Sequence, residues 1–217
     1  MNSLSSEQLV AMFNAMADSM KSSIDHLCEL DGAIGDADHG VTMSLGFEAV
    51  RGALAELDPQ QAPPTVVFNT AAKSFLAAVG ASAGPLYATA FMRAATVVKE
   101  QETLDAAAMA KVVEAMVDGI RHRGKAEAGD KTMLDAWIPA AQAANQSPAD
   151  TNLPELMRQV AQAANAGAES TIGMQAKKGR SAKLGARSVG HMDAGAASTA
   201  LLLNAASQFV DTTFGSH

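Results

Sequence analysis

Apolar residues recur at steps of three and four along most of the chain. Leu9, Phe13, Met16, Met20, Ile24 and Leu27 make one face of a first helix, with Ser5 or Ser6 in place to cap it. A second helical stretch runs from about 41 to 57 and stops before Asp58 and Pro59. Thr65 heads a third, which carries Phe68, Ala72, Phe75, Leu76 and Val79. A fourth runs from about 86 to 99, and Thr103 heads a fifth with Met109, Val112, Val113, Met116 and Ile120. A sixth covers about 133 to 145. Asn152, with Pro154 just inside, opens a seventh that fades near 174, and an eighth runs from about 195 to 210. β-Branched runs are few, so the pattern predicts an all-α fold of eight helices in one domain, 1–217.

Most connections are short, so sequential helices are expected to be antiparallel neighbours. In such an up-and-down array alternate connections share an end. Those after the first, third, fifth and seventh helices are 30–43, 80–85, 124–132 and 177–194. These four are chemically unusual, whereas the other three are polar or proline-containing spacers. The pattern therefore gathers the candidate chemistry at one end.

The first of the four reads LDGAIGDADHGVTM. Asp31, Asp36 and Asp38 fall within eight residues, Gly32, Gly35 and Gly40 stand among or beside them, and His39 follows directly. Clustered carboxylates repel one another unless a cation sits among them. Oxygen-only ligands suit magnesium or calcium better than zinc. A helix start follows, and its free N–H groups favour an anion. Metal and phosphate binding is the sharper reading; Asp side chains capping a glycine-rich turn is the plainer one.

The second, Gly80-Ala81-Ser82-Ala83-Gly84-Pro85, has no bulky side chain. It suits backbone approach to phosphate or a tight helix–helix turn equally well. In the third, Asp130 or Thr132 has the chemistry of a cap for the next helix, and Met133 can pack on an apolar ring or on the core. Trp137 is expected in the core. The fourth carries Lys177, Lys178, Arg180, Lys183 and Arg187 with one acid, Asp193. A loop this long is a solvated basic segment or a lid supplying charge to phosphates.

Net charge is −7, which argues against a nucleic-acid coat or an anionic membrane surface as partner. Cys28 is the single cysteine, so no internal disulfide forms and a reducing cytoplasm fits. No apolar run reaches the roughly 20 residues of a spanning helix, and the first residues show no leader pattern.

Four segments together resemble the L subunit of dihydroxyacetone kinase, the DhaL or nucleotide-binding domain family: LDGAIGDADHG, VGASAGPLYATAFMRAA, RGKAEAGDKTMLDAWIPA and KKGRSAKLGARSVGHMDAGAAS. They stand in the family's order. Ala83, Lys183 and Ala194 depart from it, where serine, an aromatic and proline are usual. The resemblance implies an eight-helix antiparallel barrel with ADP or ATP at one end. It implies that Asp31, Asp36 and Asp38 are catalytic and hold two magnesium ions, with Arg180 also catalytic. His39, Gly40, Val41 and Thr42 would line the phosphates, and Ser82 and Ala83 a second phosphate loop. Gly124, Met133, Arg180, Asp193, Ala194 and Gly195 would complete the nucleotide site, with Met133 against the base. The implied partners are a sugar-binding K subunit, a phosphohistidine carrier of the phosphotransferase system (M subunit) and a second copy in a homodimer. The implied reaction relays phosphate to dihydroxyacetone. Two alternatives stay open: a triose or tetrulose kinase with exchanging ATP, and a nucleotide-loaded module docking on a transcriptional regulator.

Overall fold

The computed structural model describes residues 2–80 and 82–215; Ala81 of the second loop lies outside them. The α-helices are α1 Ser6–Ser22, α2 Ile24–Ile34, α3 His39–Ala55, α4 Pro64–Ala78, α5 Ala83–Val97, α6 Ala106–Gly124, α7 Leu134–Gln146, α8 Leu153–Ser170 and α9 Ala194–Phe214. Between α8 and α9 lie two 3-10 segments, Thr171–Gly173 and Ser181–Ser188. Among the described residues the only β-type pairing is an isolated bridge between Leu4 and Leu104.

The expected all-α fold holds, and its eight-helix ring is present. α1 packs on α3, each helix from α3 onward packs on the next, and α9 returns to α1. α2 is an addition to that ring. The apolar stripe through Ile24 and Leu27 predicts one uninterrupted first helix, but the helix breaks at Ser23 (φ −104°, ψ 10°). Ser22 turns its hydroxyl back onto the Ser19 carbonyl (3.1 Å), and the Ser23 N–H is shared between the carbonyls of Ser19 and Met20. Paired serines competing for backbone acceptors loosen a helix without disturbing its apolar spacing. The new helix then lies against α3, α9 and the second 3-10 segment.

Other boundaries moved by a few residues. α4 starts on Pro63 and Pro64, and Thr65 instead bonds Ala95 of α5 (2.9 Å). Asp105, not Thr103, caps α6 by accepting from the Ala108 N–H. α5 begins at Ala83 rather than near 86. Ser5 and Asn152 cap α1 and α8 as expected.

The inner faces meet around Phe13, Phe47, Phe68, Phe75, Tyr87 and Phe91, mostly edge to face with centroids 5.3 to 6.4 Å apart. Leu9, Met20, Met43, Val50 and Phe75 are fully buried. Each such side chain contributes about 1.5–3 kcal/mol on transfer from water. The core fixes the directions of the helices, and so which ends meet. The ends of α2, α4, α6 and α8 and the starts of α3, α5, α7 and α9 share one end of the ring. No helix of the described residues is long and apolar enough to cross a membrane.

Candidate functional site

Asp31 stands in the last turn of α2, so the expected acidic loop is half helix. Gly35 ends the helix with its N–H on the Asp31 carbonyl (2.5 Å). The chain reverses through Asp36, Ala37 (φ 61°) and Asp38, and the Asp38 N–H donates to Asp31 Oδ2 (3.0 Å). The Asp31 carboxylate is thereby folded over the turn. It fits only because residue 35 has no side chain: a Cβ there would lie 2.2 Å from Asp31 Oδ1. One oxygen from each of Asp31, Asp36 and Asp38 falls within 4.8 Å of the other two. Arg180 reaches across from the basic segment and pairs with Asp36.

α3 starts directly after Asp38. Its crossing with α2 is set by Gly40, where a Cβ would lie 2.1 Å from the Ile24 carbonyl oxygen. Gly40 is thus buried packing, and Val41 points outward, 55% exposed. Both are expected among the phosphate-lining residues, but of this turn only His39 and Thr42 border the cleft. The reason is helical geometry: four consecutive residues face four directions. His39 Nε2 lies 2.9 Å from Ser198 Oγ on α9. Burial holds the His39 imidazole below its ordinary pKa, against the pull of Asp31. The neutral ring is therefore favoured at pH 7.

Ser82 and Ala83 at the start of α5, Gly124 at the end of α6 and Met133 before α7 border the same cleft. So do Arg180 and the residues Asp193, Ala194 and Gly195 at the start of α9. Its space is about 1610 Å³ counted to the open mouth. Asp193 caps α9 by accepting from the Ala196 N–H (2.8 Å). Burial pushes its carboxyl up to about 6, against the Ala196 N–H and the Lys131 ammonium.

Lys131 is the residue that sequence reasoning missed. It is 1% exposed, and its Nζ donates to the carbonyls of Thr171 (2.5 Å) and His191. Burial lowers its pKa, against Asp193 and Asp135. It ties the third loop to both ends of the basic segment. Asp135 in the first turn of α7 braces the same loop, accepting from the N–H groups of Gly129 (2.5 Å) and Thr132 (2.8 Å). Of the two candidate caps, Thr132 accepts from the Leu134 N–H (3.2 Å) at the start of α7, whereas Asp130 instead accepts from the Glu127 N–H. Trp137 is in the core, as expected. The basic segment is pinned rather than loose. Buried Ser188 accepts from the Ala176 N–H and donates to Gly185, and the Gly190 N–H bonds Ile172.

The chemistry of this end is coherent. Three carboxylates offer oxygen ligands only, held by a turn that admits no Cβ at Gly35, which fits a hard divalent cation. Helix starts and basic side chains beside them fit an anion.

A family model described as the DAK2 domain matches residues 33–208. The chain belongs to the DAK2-domain family. Within it the chain is similar to the ADP-binding subunit DhaL of PEP-dependent dihydroxyacetone kinase 1 from Listeria innocua. Identity there is 43%, over 82% of this chain and 84% of that one. It is 38% identical to the ADP-binding subunit DhaL from Escherichia coli, over 93% of this chain and 95% of that one. These matches place the chain with the DhaL proteins of the family. An L-erythrulose kinase from Pectobacterium atrosepticum is 33% identical over 94% of this chain, which spans 35% of that enzyme. The native dihydroxyacetone kinase of C. freundii shares the DAK2-type fold, with a TM-score of 0.73 at 22% identity. The alignment covers 92% of this chain and 34% of that one.

Proposed function

We propose that this chain is the nucleotide-binding, phosphoryl-transferring subunit of a dihydroxyacetone kinase, a phosphotransferase acting on an alcohol group. A phosphohistidine carrier supplies the phosphate, tightly bound ADP receives and passes it on, and dihydroxyacetone on a separate sugar-binding subunit accepts it. Identity to the two PEP-dependent ADP-binding subunits (43% and 38%) exceeds that to the erythrulose kinase (33%), which supports this donor over exchanging ATP.

One observation carries the reading: three carboxylates within 4.8 Å of one another open into the same cleft as the starts of α3, α5 and α9. Asp31, Asp36 and Asp38 would hold two magnesium ions. Such ions neutralise β- and γ-phosphate charge and align the transfer. The N–H groups of the first turn of α3, with His39 and Thr42, hold the phosphates, and the start of α5 holds their other side. Arg180 supplies positive charge to the moving group and exchanges Asp36 for it. Met133, buried beside Gly195, offers an apolar surface to the base. Lys131 and Asp135 keep the third loop and the α9 start in register.

The test is to desalt the purified protein, denature it and identify any released nucleotide. Near-stoichiometric ADP supports a retained coenzyme fed by a carrier. An empty site that takes up Mg-ATP and turns over with a sugar-binding subunit and no carrier would replace this reading with the exchanging kinase. A site that takes neither nucleotide would overturn both.

A further inference from the structure

We propose that Arg123 binds the base of the nucleotide, its guanidinium packing flat on the purine at the rim of the cleft. The inference rests on the nucleotide reading above and gives the base end of that site a specificity-determining residue.

The lining of the cleft divides by chemistry. Asp31, Asp36, Asp38, His39 and Arg180 make one side, at the end of α2, the start of α3 and the basic segment. Leu86, Ile120, Met133 and Leu134 make the other, an apolar wall from α5, α6 and α7 and the residue before it. In the ring α4 and α5 stand between α3 and α6, so the end of α6 lies across the cleft from the acid turn. A nucleotide whose phosphates meet the carboxylates therefore sets its base against the apolar wall.

Arg123 stands in the last turn of α6. Ile120, Arg123 and Gly124 follow at i, i+3 and i+4, so they share one face of the helix. Ile120 is 1% exposed, and a Cβ at Gly124 would lie 3.0 Å from Leu86 Cδ2, so that face turns to the wall. Arg123 is the member of it that stays exposed, and it borders the cleft. Basic side chains in a last turn favour the helix's C-terminal carbonyls, and Arg121 and His122 stand in the same turn. Of the three, Arg123 is the one on the cleft. Arg121 pairs with Glu127, and across the cleft Arg180 pairs with Asp36. Among the described residues no carboxylate pairs with Arg123.

A guanidinium is flat, always charged and weakly hydrated, so beside an apolar wall it suits the face of an aromatic ring. The base is the aromatic group that ADP brings. A purine offers two fused rings to this contact and a pyrimidine one, so the contact favours adenine over cytosine. A charge that only drew phosphates in would not distinguish the two.

The test is calorimetric titration of Mg-ADP and Mg-CDP into the full chain, stripped of nucleotide in EDTA and returned to magnesium. The wild type is expected to bind Mg-ADP the more tightly. Arg123→Ala is expected to lose about fivefold in Mg-ADP affinity, the scale of one exposed cation–π contact, and less in Mg-CDP affinity. Arg123→Lys, which keeps the charge but not the plane, should follow Arg123→Ala. Arg123 is exposed, so both variants are expected to fold. Unchanged Mg-ADP affinity in Arg123→Ala overturns the proposal. An equal loss for both nucleotides overturns it by moving the contact to ribose or phosphate, and full recovery in Arg123→Lys overturns it in favour of charge alone. A wild type that binds neither nucleotide overturns the nucleotide reading, and this inference with it.

Discussion

At the end of the barrel away from the acid turn, α1, α6 and α8 begin on Ser5, Asp105 and Asn152. Each accepts a backbone N–H from the first turn, at 3.2, 2.8 and 3.0 Å. α4 begins there on Pro63 and Pro64, and a proline has no N–H to satisfy. A backbone bridge between Leu4 and Leu104 closes that end. At the other end α3, α5 and α7 begin on Asp38, Ser82 and Met133, and none of these side chains caps its helix. Asp193 caps α9, and one residue before Met133 the Thr132 hydroxyl accepts from the Leu134 N–H (3.2 Å) at the start of α7. The same chain thus satisfies its helix starts internally at one end and leaves those of α3 and α5 without a side-chain cap at the other. Asp38 has the right chemistry for a cap and instead joins Asp31 and Asp36. Open N–H groups beside a carboxylate cluster give up local stability and offer an anion and its cation a prepared place. One end is built to hold the fold and the other to hold a ligand.

This contrast can be broken most sharply at Asp36. Asp36→Ala should cut phosphoryl transfer in a reconstituted assay by about a hundredfold or more, the scale of losing one transition-state charge clamp. Its melting temperature should stay near that of the wild type, because Asp36 is exposed. Full activity in that variant would remove the metal assignment.

Lys131→Met comes next. It leaves the carbonyls of Thr171 and His191 without their ammonium, and should cost about 1–3 kcal/mol in denaturant unfolding. Mg-ADP binding should weaken with it, because the start of α9 loses its tie to the third loop. A variant with weakened binding and unchanged stability would place Lys131 on the ligand rather than on the frame.

Asp193 gives the pH dependence. Its folded pKa, about 6, lies above the value of a free carboxyl, so the folded protein holds this proton more tightly than the unfolded chain. Its effect is absent below the unfolded value and grows as a loss of stability while pH rises from about 4 to about 6. The loss is at most about 3 kcal/mol, two pKa units at about 1.4 each. Asp193→Asn keeps a capping oxygen and should flatten that slope in the nucleotide-free protein. An identical slope in the variant would assign the titration elsewhere.

The smallest effect belongs to the closed end. Asn152→Ala or Asp105→Ala should each cost about 1 kcal/mol of stability and leave Mg-ADP affinity untouched. A loss of affinity there would mean that the two ends are not independent.

The sequence made the ring of eight and its functional end readable because both depend on robust signals, apolar spacing and the alternation of loops around an antiparallel array. Asp31, Asp36, Asp38, His39, Arg180 and Met133 were legible as a set and do share one cleft. The break at Ser23 was not, since a kink that keeps apolar spacing leaves no trace in periodicity. Gly40 and Val41 could be placed in the turn, but which way each faces needs the α2–α3 crossing. Lys131 escaped because a lysine in a polar, glycine-bearing loop reads as solvated. Only the fold brings two carbonyls, 40 and 60 residues further along, over its ammonium. The contact between His39 and Ser198 escaped for the same reason, spanning 159 residues.

The most direct test of an end built for a metal-bound anion is calorimetric titration of ADP into the desalted protein, with magnesium and then with EDTA. The account predicts saturable binding with magnesium that is lost in EDTA and in Asp36→Ala. Equal binding with and without the metal would contradict it.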